Sequence, residues 1–174
     1  MHLAYTTMPG RGDAGMLFFD LAKELTAQGA RVAGLVQIDP RAPDSHPCDM
    51  DLRVLPDGPE IRVSQSLGAG SRGCRLDTGA LEMAAAAVGR SVAAGADLLI
   101  VNKFGKLESQ GRGLCGAIAE AIGRDIPVIV GVNDLNLEAF LDFSDGLATA
   151  LLPRRDVLMG WVRHLADDRP VPVG

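Results

Sequence analysis

The residues best suited to chemistry fall in a few short stretches of the 174-residue chain. In TTMPGRGDAG, residues 6–15, a strand-like run leads into a glycine-bearing turn and then a helix start. Gly10, Arg11 and Gly12 lie where consecutive backbone N–H groups and a helix dipole would face an anion. A complete phosphate loop has a glycine, four residues, then Gly-Lys and a serine or threonine. Here Gly12 holds the second glycine position, but Thr7 replaces the first glycine, Asp13 the lysine, and Ala14 the magnesium-binding hydroxyl. A plain strand-to-helix turn with Asp13 as its N-cap is the simpler alternative.

A second stretch is VNKFGK, residues 101–106. Lys103 and Lys106 are two of only three lysines in the chain, the other being Lys23, so this cationic pair is concentrated at one place. Lys103 leaves the end of a short apolar run, where solvation is partly lost and a cation usually has an anionic partner. Either it pairs with a structural carboxylate such as Asp13, or it supplies from another strand the positive charge that the glycine turn lacks. Asn102 stands beside it as a neutral amide. Gln37 ends another apolar run and belongs to the same group of candidates.

In SRGCRLD, residues 71–77, Arg72 and Arg75 offer guanidinium forks that match a tetrahedral oxyanion. The alternative is a solvated loop, with Asp77 or Thr78 capping the helix that follows. QGRGL, residues 110–114, could add backbone donors at another helix start. His2, His46 and His164 have no metal-ligand spacing, and Cys48, Cys74 and Cys115 form no CxxC pair, so no metal site is expected. No Ser/His/Asp or Cys/His arrangement is evident either.

These stretches need an α/β frame to bring them together. Apolar runs at residues 2–7, 31–38, 97–101, 127–132 and 147–152 read as strands of a mainly parallel sheet. Helical periodicity marks residues 14–28, 80–94, 113–123, 135–143 and 156–166. Residues 52–55 and 61–65, separated by PDGPE, read as an inserted β-hairpin. Residues 39–49 and the glycine-rich stretch 66–79 read as irregular connections. In such sheets ligands bind beyond the carboxyl ends of the strands, where the candidates fall.

Composition narrows the function classes. Hydrophobic residues make up 47% of the chain and charged residues 22%, enough for a packed core and unlike a disordered tail. A net charge of -5 argues against nucleic-acid binding driven by overall charge. No apolar run reaches the roughly 18 residues of a membrane-spanning helix, and the N-terminus lacks the pattern of a secretory signal. An odd cysteine count suits a reducing compartment, so a cytoplasmic location is expected.

Taken together, TTMPGRGDAGMLFF and DLLIVNKFGKLE resemble the small P-loop nucleoside triphosphatases first known from thermophiles. In those proteins a TGxPGxGKTTL loop is paired with a motif of apolar residues followed by Asp-Glu-Ile-Gly-Lys-Met-Glu. On that register Asn102 replaces the Asp and Lys103 the Glu, whereas Gly105, Lys106 and Glu108 are kept. GLVQ, SLGxxSxxCRLD and NKFGKxE together resemble more closely a bacterial family of unknown function, commonly found beside molybdate-uptake and nitrogenase-related genes.

The resemblance implies a P-loop NTPase-like three-layer sandwich, with residues 1–174 forming a single degenerate domain. It departs at Asp13, Ala14, Asn102 and Lys103, which together remove the cation, a magnesium ligand and the acidic pair that hydrolysis uses. The expectation is therefore a domain that binds an anionic small molecule, a nucleotide or an oxyanion, at the sheet's carboxyl edge without efficient hydrolysis. An active nucleoside triphosphatase with a site rearranged around Lys103 or Lys106 is one alternative. A regulatory or accessory protein in molybdenum homeostasis is another, and a protein partner or homo-oligomer stays open.

Overall fold

A computed structural model describes residues 1–7, 14–38, 51–66 and 74–167. The candidates Gly10, Arg11, Gly12, Asp13 and Arg72 lie outside the described residues, as does the predicted loop 39–49.

Continuous apolar runs form the middle of the sheet because both of its faces are covered. Strands β1 (Leu3–Thr7), β2 (Val32–Ile38), β7 (Leu98–Phe104), β8 (Val128–Val132) and β9 (Thr149–Leu151) run parallel in the order β2-β7-β8-β1-β9. The predicted hairpin, β3 (Asp51–Leu55) and β4 (Glu60–Arg62), extends this sheet antiparallel beyond β2 to make seven strands. It is pinned by the Arg62–Asp51 ion pair at 2.8 Å, and the Arg62 hydrogen bond holds the Asp51 carboxyl below its ordinary range.

Helix α1 (Ala14–Ala27) presents Phe18, Leu21, Ala22 and Leu25 at i, i+3, i+4 and i+7, all buried against one face of the sheet. Helix α5 (Arg155–Asp167) joins it there through Leu158 and Met159, and Glu24 accepts from Arg155 across the two helices. The other face carries α2 (Thr78–Ala93), α3 (Cys115–Gly123) and α4 (Leu137–Phe143). Helix α2 buries Ala84, Ala85, Val88 and Val92, and α4 buries Phe140. Asp77 caps α2, accepting from the Ala80 N–H at 2.9 Å. No helix of the described residues is long and apolar enough to cross a membrane.

Five expectations are corrected. The sequence reads the hairpin's second strand over 61–65, but β4 runs over Glu60–Arg62, pairing Arg62 with Asp51. Buried Val63 then turns the chain into β5 (Ser64–Ser66), which pairs with β6 (Cys74–Leu76) in a separate two-stranded sheet. The stretch 66–79, expected to be irregular, thus contributes a strand, tied down where Asp77 N–H donates to Val63 O at 2.8 Å. The strand expected to end at residue 101 continues to Phe104, because Phe104 is fully buried, packs edge-on against Phe140 and pairs with Val132. Asn102 and Lys103 therefore sit on β7 itself, inside a bulge between the Val101 and Phe104 pairings. The predicted helix at 135–143 begins instead as a 3-10 turn, Asp134–Asn136, and the last strand is shorter than expected.

One close approach governs this edge. A Cβ on Gly131 of β8 would fall 2.3 Å from the Asn102 carbonyl oxygen and 2.9 Å from the Phe18 ring. Gly131→Ala is expected to cost about 1–3 kcal/mol as an overpacking change. The urea midpoint should fall with an unchanged denaturant slope.

Candidate functional site

The carboxyl ends of β2, β7 and β8 open onto a cavity of about 360 Å³. Its floor is apolar: Leu35 comes from β2, Leu52 from β3, Leu81 from α2, and Leu107 and Leu114 from the segment joining β7 to α3. Lys103, Lys106, Asn102 and Asn133 supply polar groups, and Glu108 lies in the wall. Both lysines are exposed and have no ion-pair partner among the described residues.

The loop carrying the lysines is shaped by Glu108, which is 4% exposed. Its Oε2 accepts from the Gly105 N–H at 2.9 Å and its Oε1 from the Leu114 N–H at 3.1 Å. The Glu108 carbonyl accepts from the Cys115 Sγ–H at 3.1 Å. Gly113 has φ +58°, and a Cβ there would fall 2.2 Å from Glu108 Oε1, so a side chain would expel the carboxylate. The carboxylate's oxygens are thus occupied by backbone donors. Burial, reinforced by the negative charge of Glu108, pushes the Cys115 thiol up to about 11.

On β7 the bulge separates the two candidates. Thr6 pairs with Gly131, and Gly131 abuts the Asn102 backbone, so Thr6, Gly131 and Asn102 form one row across β1, β8 and β7. The preceding row is Ala4, Ile129 and Ile100, and its two isoleucines pack against α1. Strand alternation puts Thr6 and Asn102 on that same face. Thr6 is fully buried, and neither its Oγ1 nor Asn102 Oδ1, also buried, has a hydrogen-bond partner among the described residues. Lys103 instead lines the cavity on the side of Leu35 and Leu114.

The structure therefore brings Lys103 and Lys106 to one cavity, whose lining Asn102 also touches although its Oδ1 is buried. Gln37 is half-buried on β2 opposite Leu52 and is not part of the cavity wall. Arg75 lies on β6 opposite Gln65, in the separate small sheet. The sequence names Glu108 only as a residue kept on the register of the resemblance and gives it no role at the site, although an acidic residue followed by two glycines is a usable signal. Asn133 accepts from the Asn136 N–H at 3.1 Å and from Asn136 Nδ2 at 2.8 Å, which makes it a cap of the 3-10 turn. Among the described residues no cluster of three His, Cys, Asp or Glu side chains is arranged to hold a metal.

Comparisons with known proteins extend this picture. Residues 3–161 match the family model described as "Protein of unknown function (DUF2478)". The chain is 37% identical over 153 residues to Molybdenum import ATP-binding protein ModC 2 of Bradyrhizobium diazoefficiens, an alignment covering 87% of this chain and 17% of that protein. The chain thus spans about a sixth of that relative's length. Among solved structures, a human cancer-related nucleoside triphosphatase superposes with a TM-score of 0.65 at 16% identity, covering 98% of this chain and all of that one. THEP1 from the hyperthermophile Aquifex aeolicus gives a TM-score of 0.64 at 17% identity, covering 97% of this chain and all of that one. The fold is that of these small P-loop nucleoside triphosphatases.

Two outcomes follow from the loop. Glu108→Ala leaves two backbone donors without their acceptor and should lower stability by at least about 2 kcal/mol in urea unfolding. The Cys115 thiol, raised from 9.0 to about 11, should hold about 100-fold less thiolate than an ordinary thiol at any pH below 9. Alkylation at pH 8, followed peptide by peptide in a mass spectrometer, should label Cys115 at least that much more slowly than it does after unfolding in urea.

Proposed function

The chain belongs to the DUF2478 family, and from that premise we propose that it binds a nucleotide or an oxyanion at the carboxyl edge of its sheet without efficient hydrolysis. The observation that carries this reading is the end of β7. Asn102 and Lys103 stand there where the resemblance to the thermophile enzymes expects an acidic pair, and Lys103 and Lys106 border a cavity with no ion-pair partner among the described residues. Ammonium groups attract an anion and repel a divalent cation, which removes the usual means of offsetting charge on a transferring phosphoryl group. Asn102 adds a carboxamide able to donate and accept, and its buried Oδ1 lacks a partner among the described residues. The match to a protein whose name includes ATP binding supports the nucleotide arm.

The name of that relative also favours a second reading, an accessory role in molybdenum homeostasis. In that case molybdate itself, or a protein partner, takes the place of the nucleotide.

Calorimetry with ATP, GTP, phosphate and molybdate tests both arms. Lys103→Ala should weaken each anion that binds by about 1.5–3 kcal/mol, the range for hydrogen bonds to charged groups. Phosphate release from ATP or GTP with magnesium should stay far below the roughly 1–10³ s⁻¹ of ordinary enzymes. Unchanged affinity in the variant would remove Lys103 from the site, and sustained turnover at enzyme rates would reject the non-hydrolytic reading.

A further inference from the structure

The cavity is built for more than a charge. Its wall is formed by Leu35, Leu52, Val63, Leu81, Leu107 and Leu114, and all of these except Leu81 are buried. The space, about 360 Å³, falls in the range of small-molecule sites, which are mostly apolar with a few placed polar groups. Among the described residues the charged groups in the lining are Lys103, Lys106 and Glu108. Glu108 is already committed to the Gly105 and Leu114 amides, so the groups left to meet a ligand are the two cations at the mouth. A small tetrahedral oxyanion would satisfy the lysines but leave the leucine-lined space unfilled. A ligand with an apolar body would fill that space, and its negative group would reach the ammonium groups at the entrance.

Position sets this space apart from helix α1. That helix packs on the face of Ile100 and Ile129, whereas Leu35, Leu52, Val63 and Leu114 belong to the core on the opposite face. The leucine side chains offer no hydrogen bonds to the edge of a nucleobase, and of the carboxamides in the lining Asn133 and Asn136 are already bonded to each other. It fits an aromatic or branched aliphatic group.

We propose that this cavity binds an amphipathic organic anion, with its apolar body against the leucine wall and its negative group at Lys103 and Lys106. This rests on the reading that Lys103 holds an anion, and it identifies the class of molecule that carries the charge.

Two fluorescent probes sharing one ring system test it: 8-anilinonaphthalene-1-sulfonate, which is anionic, and N-phenyl-1-naphthylamine, which is neutral. Both should bind the wild-type chain saturably at one site, and inorganic phosphate should displace the sulfonate but not the amine. Replacing both lysines by alanine should weaken the sulfonate at least tenfold and change the amine less than twofold. Leu81→Trp fills the cavity and should weaken both probes at least tenfold, and Leu81→Phe provides a milder block should the tryptophan variant fail to fold. Absence of saturable binding to the wild-type chain, or equal binding to a folded Leu81 variant, overturns the cavity proposal. If Lys103→Ala still abolishes phosphate or nucleotide binding in that case, the anion reading stands without it. Sulfonate binding unaffected by loss of both lysines overturns the two together.

Discussion

The Glu108 carboxylate is the interaction on which the rest of the site depends. Two backbone N–H groups, of Gly105 and Leu114, converge on it from opposite ends of the segment joining β7 to α3. A buried carboxylate is costly unless its lone pairs are met, and here the chain itself meets them. Because the donors are backbone, the loop cannot change shape without exposing both the charge and the amides. That one constraint holds Lys106 at the cavity mouth, turns Leu107 and Leu114 inward, and places Cys115 at the first turn of α3. Gly113 is part of the same device, since any side chain there would occupy the carboxylate's place.

The sheet supplies the second constraint. Its central strands are buried on both faces, so the polar groups at their carboxyl ends mark a sharp boundary between core and site. The bulge on β7 distributes the residues at that boundary to two faces. Asn102 joins Thr6 on the side of α1, while Lys103 joins the leucine-lined cavity. One strand end thereby serves two environments, a row of buried oxygens and an apolar pocket with a cationic rim.

This arrangement bears on the relation to the small P-loop nucleoside triphosphatases. A fold can be retained while its site is rewritten, because the packing that holds the strands is separate from the groups at their ends. At the end of β7 this chain presents an amide and an ammonium, Asn102 and Lys103, where the resemblance to those enzymes expects carboxylates. Fold and chemistry are therefore separate questions in this chain.

The sequence by itself determined the kinds of element, the parallel character of the sheet, and the concentration of lysines at the end of one central strand. Apolar runs and helical spacing are local signals set by burial, and they survive in any tertiary context. The extent of β7 was not legible, because Asn102 and Lys103 look like the start of a loop until Phe104 is seen buried against Phe140. The division of residues 60–66 between two sheets was equally hidden, since it depends on which partner each short strand meets. Gln37 shares the edge but lies outside the cavity, a distinction that strand register makes and composition does not. The cavity itself belongs wholly to the tertiary structure. Leu35, Leu52, Leu81 and Leu114 are ordinary core residues in the sequence, and only the meeting of β2, β3, α2 and the Glu108 loop leaves space between them, because packing is a property of neighbours far apart in the chain.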